Sequence, residues 1–292
     1  MIQRSFRLAA RFAILIPGVV IAYVSVSKIY PYFDSKLPLG LAILLTYILA
    51  AYILIPALIR LIRIIKPPAH LPLYCVTPDG FASDPLNIGI IATRRQIILA
   101  MEKAGWHLAD PHRWRYLVRH LLSTIYGWSY PNAPVSNLYL FGRKQDLAFE
   151  IPIEGQVGGR HHVRFWATTY ENKRPLSFRS IHWQHRQAHL RDDNLLWIGA
   201  ASQDVGVGYI RHNMQLTHMI DPDTNSEREL IVKHLRAYKL IENIETVKLG
   251  KPYRLINRVM RGQLHTDGKM AVISLQAGFG QAGLSHPQKN HN

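Results

Sequence analysis

Cysteine and acidic side chains are scarce in this chain. Its 292 residues contain one cysteine, Cys75, which excludes an intrachain disulfide and a thiolate metal cluster. Only 19 acidic residues stand against 35 lysines and arginines, which gives a formal net charge of +16. The sequence also lacks a glycine-rich phosphate loop, an HExxH pair, a G-x-S-x-G elbow and a C-x-x-C pair. None of these common catalytic or nucleotide-binding motifs can therefore support a function here.

Positive charge alone would be compatible with nucleic-acid binding. No zinc-finger spacing, RNA-recognition aromatic motif or run of lysines and arginines accompanies it. The first 66 residues carry eight basic side chains against Asp34 alone. Because basic residues beside apolar segments favour anionic membrane surfaces, we expect a lipid bilayer as partner and do not expect nucleic acid.

Two long uncharged runs precede residue 60. Residues 37–59 carry no charge over 23 positions, which is long enough for a helix to cross a bilayer. Residues 12–27 form a shorter run bracketed by Arg11 and Lys28, whose side chains could reach both interfaces. A cleaved signal peptide is the alternative for this first run. The pattern favours a transmembrane helical hairpin.

Basic residues flank the outer ends of both runs. They are Arg4, Arg7 and Arg11 before the first run and Arg60, Arg63 and Lys66 after the second. Because cytoplasmic flanks are enriched in such residues, both termini are predicted to be cytoplasmic. The predicted organisation is an anchor over 1–66, a Pro-rich spacer over 67–79, a cytoplasmic domain over 80–277 and a disordered tail over 278–292.

The soluble part contains strand-like segments between two helical regions. Helices are predicted over 93–104, with Thr93 as N-cap, over about 111–126 and over 226–240. Segments rich in aliphatic and aromatic residues predict strands at 137–142, 146–153, 161–169, 194–202, 215–220 and 268–275. This order predicts an α+β fold, in which a largely antiparallel sheet flanked by helices follows the transmembrane hairpin.

Polar residues interrupt several of these strands. In LYLFGRKQDLAFEI (138–151), Arg143 and Asp146 belong either to a turn between two strands or to a polar site at a strand end. In GRHHVRFWATT (159–169), alternation places His162 and Arg164 on one face, which either faces solvent or enters a site. Asp204 follows a strand-like run, where an ordinary turn is the alternative.

The stretch LTHMIDPDTNSERE (216–229) is rich in oxygen ligands but does not form a calcium loop, because Ser226 stands where such a loop needs glycine. Thr224 and Glu227 have the spacing of a capping box for the next helix. That prediction leaves His218 and Asp221 unexplained. Further on, Asp267-Gly268 is predicted to be a hairpin turn. The fifteen histidines show no tight metal-ligand spacing.

Taken in order, these pieces resemble the LssY C-terminal domain family of bacterial proteins. The resemblance rests on short motifs over about 80–275: Gly142-Arg143-Asp146; His162-Val163-Arg164-Trp166; Trp197-Gly199-Ala200 with Asp204; Thr217-His218-Asp221-Glu227-Arg228; and Asp267-Gly268. The resemblance implies a domain attached to membrane segments in the bacterial inner membrane. It implies no established activity. Some family members carry a multi-helix lipid phosphatase module, which this sequence lacks.

Two hypotheses follow for the polar set. In the first, the chain is a hydrolase acting on a phosphorylated or lipid-derived substrate at the cytoplasmic face. His162, His218, Asp221 and Asp204 would then bind a divalent metal or act as acid and base, and Arg143, Arg164 and Asp146 would bind the substrate. In the second, the domain is non-catalytic and recruits a partner or anionic lipid head group, and the same residues form a structural network. The sequence leaves both open.

Overall fold

The computed structural model describes residues 17–59, 71–78, 80, 82–111, 113–126, 130–153, 159–171, 195–209, 216–257, 262–276 and 279. The chain divides into two compact units, one formed by Met1–Pro67 with Thr77–Phe81 and the other by Pro68–Val76 with Ala82–Asn292. The predicted tail lies outside the described residues except for Phe279, which packs against the core of the second unit.

The described part of the first unit contains two helices joined by a short turn. Helix α1 is described from residue 17 and runs through a π-helical turn at Ser25–Ile29 to Asp34. Helix α2 spans Leu39–Ile59 and contains a second π-helical turn at Ala50–Leu54. Only α2, among the described residues, is long and apolar enough to cross a membrane. The first predicted span begins outside those residues, so the hairpin as a double span stays a prediction.

Among its described residues, the second unit has three helices. They are α3 (Arg94–Lys103), α4 (Trp114–Tyr126) and α5 (Thr224–Ala237). The predicted N-cap of α3 is confirmed. Thr93 Oγ1 accepts a hydrogen bond from the Gln96 amide at 3.2 Å, and Gln96 Oε1 accepts one from the Thr93 amide at 2.9 Å.

The second unit also contains fourteen strands among the described residues. They are β1 (Tyr74–Val76), β2 (Ala82–Pro85), β3 (Ile88–Ala92), β4 (His107–Leu108), β5 (Tyr139–Leu140), β6 (Arg143–Lys144), β7 (Leu147–Pro152), β8 (Arg160–Glu171), β9 (Leu195–Tyr209), β10 (Leu216–Ile220), β11 (Ile241–Lys248), β12 (Tyr253–Asn257), β13 (Gly262–Thr266) and β14 (Lys269–Leu275). The α+β prediction is therefore confirmed.

The large sheet has the strand order β11-β14-β3-β9-β8-β7-β4, with β10 paired to β9. Every pair in it is antiparallel except β14 with β3. A smaller antiparallel sheet has the order β2-β1-β5-β6, and β12 pairs with β13. Strand β1 lies inside the segment predicted as a spacer.

Alternate residues of the central strands enter two separate cores. On one face of the large sheet, Phe149, Val163 and Trp197 pack with residues of α3 and α5. On the other face, Trp166 and Ile198 pack with residues that include Cys75 of β1 and Leu140 of β5. The smaller sheet therefore covers the second face, and this layer contains the polar groups of interest.

Two local predictions are wrong. The N-cap of α5 is Asp223, whose side chain accepts from the Asn225 amide, while the Thr224 hydroxyl donates to the His265 carbonyl at 2.7 Å. The predicted capping box is therefore absent, because both side chains of that pair serve tertiary contacts. Asp267-Gly268 is not a hairpin turn: β13 before it pairs with β12, whereas β14 after it pairs with β11 and β3.

Candidate functional site

Three neighbouring strands place polar residues in register on the covered face. On β8, His162 lies opposite Glu150 of β7 and Ser202 of β9. One step along the same face, Arg160 lies opposite Asp204. Cross-strand neighbours on one face lie within side-chain contact. We call the buried polar cluster the set formed by Asp84, Glu150, Arg160, His162, Arg164, Ser202 and Asp204.

His162 is at the centre of this cluster and is 1% exposed. Its Nε2 lies 2.8 Å from Ser202 Oγ and 3.3 Å from Asp84 Oδ2. Its Nδ1 lies 3.5 Å from Asp204 Oδ1 and, among the described residues, makes no hydrogen bond. A buried polar atom without a hydrogen bond costs about 1–3 kcal/mol, so this ring is held in its position at a cost in stability.

Asp84 comes from β2 of the smaller sheet and binds Arg164 across the layer. Arg164 Nη1 donates to Asp84 Oδ2 at 2.7 Å, and its Nε and Nη2 donate to the carbonyl and hydroxyl of Ser136. Burial would raise the pKa of Asp84, but the Arg164 charge and the contact with His162 outweigh burial and hold it well below its usual range. Asp84 is therefore a buried, ionised carboxylate.

A second ion-pair group completes the cluster. Arg160 donates from Nη1 to Glu150 Oε2 at 2.6 Å and from Nε to Asp204 Oδ2 at 3.2 Å. Burial is the main effect on Glu150 and raises its pKa to about 7, although Arg160 and a backbone hydrogen bond from Ala133 oppose this shift. A carboxyl group that titrates near neutrality can accept or donate a proton under physiological conditions.

Arg143 begins β6, Asp146 directly precedes β7, and the two side chains form an ion pair. Phe141 and Gly142 have positive φ values of 52° and 76° and form the tight turn between β5 and β6. Arg143 Nη2 then donates to Asp146 Oδ2 at 2.5 Å and to the Ala167 carbonyl at 2.7 Å, and the Ala167 amide donates to Asp146. These contacts fasten the β5–β6 hairpin to β8.

Not every predicted site residue reaches the cluster. His162, Arg164 and Asp204 do. Asp221 is partly exposed, and its Oδ1 accepts from the Asp223 amide at 2.8 Å, which is a local turn contact. The backbone of His218 lies opposite Val207 in the β9–β10 pair, but its side chain is outside the described residues.

Sequence reasoning missed Asp84, Glu150, Arg160 and Ser202. Glu150 carried a usable signal, because an acidic residue in the apolar strand LAFEIP must either face water or meet a partner. Asp84 had none, because β2 is only four residues long and its partner His162 is 78 positions away.

A different set of polar contacts lies on the opposite face, against α5. His161 Nδ1 lies 2.9 Å from Glu227 Oε1. The pKa of His234 is lowered by burial and by the nearby His161 and Lys233 charges, and its ring meets Trp106 edge-on at 6.1 Å. Among the described residues, no group of three or more His, Cys, Asp or Glu side chains could hold a metal ion.

A family model described as LssY C-terminus matches residues 69–270. The chain belongs to this family. The match includes every strand of the smaller sheet and all seven residues of the buried polar cluster. No curated protein and no solved structure matches the chain.

Proposed function

We propose that this chain is a membrane-anchored hydrolase acting on a phosphorylated or lipid-derived substrate at the cytoplasmic face of the inner membrane. The observation that carries the proposal is the link from Ser202 Oγ through the two nitrogens of His162 to Asp204. A hydroxyl, an imidazole and a carboxylate in that order form the arrangement that activates a serine nucleophile.

Each member has a defined role in this proposal. With His162 neutral and protonated at Nδ1, its Nε2 takes the proton of Ser202 as the hydroxyl attacks the substrate, and gives this proton to the departing alcohol as its bond to the substrate breaks. A water molecule, deprotonated by the same nitrogen, then releases the product from Ser202 and restores the hydroxyl. Asp204 orients the ring through Nδ1 and stabilises its positive charge; the 3.5 Å separation has to shorten when substrate binds, as catalytic contacts in free enzymes often do. Arg164 positions Asp84. Its Nη1 donates to Asp84 Oδ2, while Nε and Nη2 donate to Ser136 and so hold the guanidinium in place. No step through a metal ion is proposed.

The cluster is buried, and this sets a requirement for the mechanism. Ser202 is 0% exposed, so substrate reaches it only when the layer between the two sheets opens. Lids and loops that open on the microsecond-to-millisecond timescale gate many enzymes in this way. The hydrolase therefore needs a state in which Ser202 becomes accessible, and that state can be trapped chemically.

A fluorophosphonate probe tests this directly, because it forms a covalent bond only with an activated serine. The full chain in lipid nanodiscs should be labelled, and Ser202→Ala should abolish labelling with little change in thermal stability. Ser226→Ala, at an exposed serine of α5, is the matched control and should label normally. Labelling that persists in Ser202→Ala would refute the serine mechanism. So would a full chain of wild-type sequence that remains unlabelled after prolonged incubation.

A non-catalytic membrane-anchored binding domain is the second candidate. It is favoured by the mutual pairing of Asp84 with Arg164 and of Glu150 with Arg160, because buried ion pairs of this kind occur in structural networks. Under it, Ser202→Ala and Asp204→Asn would change stability, and the full chain would hydrolyse none of a panel of phosphate and carboxylic ester lipids.

The proposed orientation has its own test. Reporter fusions after residue 70 should be active only as cytoplasmic reporters, because basic residues precede α1 and follow α2. A periplasmic signal from that junction would contradict both the double span and the cytoplasmic site.

A further inference from the structure

Helix α4 has an exposed apolar face. Trp114, Val118, Leu122 and Tyr126 are exposed at 77%, 45%, 38% and 63%. Positions four apart lie on one face of a helix, so these side chains form a single line, which we call the apolar stripe. Soluble domains rarely expose such a continuous apolar surface without a partner for it.

The described side chains of α4 differ in exposure around the helix. Ser123 lies about 180° around the helix from Trp114 and is buried at 6%. Among the described side chains of α4, the hydroxyl of Ser123 is thus buried and the indole of Trp114 exposed. A helix stabilised by a core normally buries its large apolar side chains, and the apolar stripe does not follow that pattern.

The charges around the apolar stripe identify its partner. Arg113, Arg115 and Arg119 are exposed on or beside α4, and residues 111–126 contain no acidic side chain. Arg119 is held over the ring of Tyr130 with its guanidinium carbon 4.4 Å from the ring centroid. Arginines next to a face bearing tryptophan, tyrosine and leucine are the composition of helices that lie in the plane of an anionic membrane surface.

We propose that α4 lies in the interfacial region of an anionic lipid bilayer, with the apolar stripe inserted and its arginines at the head groups. The chain also contains α2, a helix apolar enough to cross a membrane, so a bilayer is the partner that this surface would meet. This second membrane contact is independent of whether the buried polar cluster is catalytic. It would hold the domain at the bilayer surface in a defined orientation.

The native cysteine is buried, which allows a dye to be attached at one chosen position. Cys75 is buried, and burial raises the pKa of its thiol well above the usual value, so a maleimide dye reacts at an introduced cysteine instead. Val118→Cys in the full chain, labelled with an environment-sensitive dye, reports on the apolar stripe. Glu102→Cys, at an exposed position on α3, is the matched control for labelling.

In vesicles of phosphatidylcholine with phosphatidylglycerol, the dye at 118 should shift to the blue and be quenched by lipids labelled in their acyl chains. In phosphatidylcholine alone both effects should weaken, and the dye at 102 should show neither. Arg115→Gln and Arg119→Gln should each lower the equilibrium constant for insertion about fivefold, which is the effect of about one charge at an anionic surface. Arg94→Gln and Arg95→Gln, two exposed arginines of α3, are the control and should leave it unchanged.

Two outcomes would overturn the proposal. Fluorescence that stays water-like in both lipids would show that α4 does not insert. A dye that is shielded equally in detergent and in both lipids would show that the chain's own helices or a second copy cover the apolar stripe.

Discussion

Replacing Arg164 with methionine tests whether the Asp84 carboxylate depends on its ion pair. Both side chains are almost fully buried, at 4% and 1% exposure, and Nη1 lies 2.7 Å from Oδ2. Methionine fills much of the same volume but leaves Asp84 as a buried charge without its main partner. Removing one member of such a pair typically costs about 3–5 kcal/mol. In a domain of this size that corresponds to a fall in melting temperature of about 6–20 °C.

Cys75 provides the assay for this effect. Its Sγ donates to the Asp84 carbonyl at 3.1 Å, so the thiol is hidden for as long as this layer stays closed. A thiol-reactive dye that fluoresces on reaction therefore reports the melting of the layer in the full chain, in detergent. Arg95→Met, at an exposed arginine of α3, is the matched control and should melt within about a degree of the wild type.

A double variant separates the ion pair from simple loss of packing. Asp84→Asn removes the charge that Arg164→Met exposes, so the two changes together should restore at least about half of the lost stability. Strictly additive losses, or a loss below about 1 kcal/mol for Arg164→Met, would refute the assignment of Asp84 as a carboxylate held ionised by Arg164.

Three further predictions concern the same domain. The pKa of Glu150 is about 7 in the fold and lower in the unfolded chain, so the unfolded state loses this proton first as pH rises. Wild-type stability should therefore fall by roughly 3 kcal/mol between about pH 4.5 and 7. Glu150→Gln should flatten this slope in dye-monitored melts. Gly199→Ala should destabilise by about 1–3 kcal/mol, because its Cβ would come within 2.5 Å of Ile88 Cγ2, whereas Gly40→Ala, with nothing within 4 Å, should not. Arg228→Met should cost about 1.5–3 kcal/mol by removing two hydrogen bonds to Asp267, and a loss equal to that of a surface substitution would contradict this.

Local signals in the sequence predicted a substantial part of this fold. Thr93 and Gln96 form the expected cap, since both partners lie within one helical turn. The central strands follow runs of aliphatic and aromatic residues, and on β8 the residues that alternate with His162 and Arg164, which are Val163 and Phe165, lie in the core. These features depend on neighbours a few positions away, which a single sequence displays.

Contacts between distant residues could not be predicted in this way. Thr224 has the spacing of a capping residue, but its hydroxyl binds the His265 carbonyl 41 positions away. Likewise the Asp267-Gly268 pair looks like a hairpin turn, while Asp267 in fact binds Arg228 of α5. Thr224 makes a tertiary hydrogen bond in place of the local one, and the strands on either side of Asp267 pair with other strands. Nothing in the local pattern indicates either outcome.

The buried polar cluster likewise depends on contacts between distant residues. Alternation shows that His162 and Arg164 share a face of β8, but not whether that face is covered. The cover is the smaller sheet, whose strands have two to four residues and therefore no measurable periodicity. One residue did carry the information: Trp166 lies on the same face and is 2% exposed, with its Nε1 donating to the Arg143 carbonyl. A tryptophan in line with a histidine and an arginine is poorly suited to open solvent, so it indicates a covered layer in which charged neighbours must find partners.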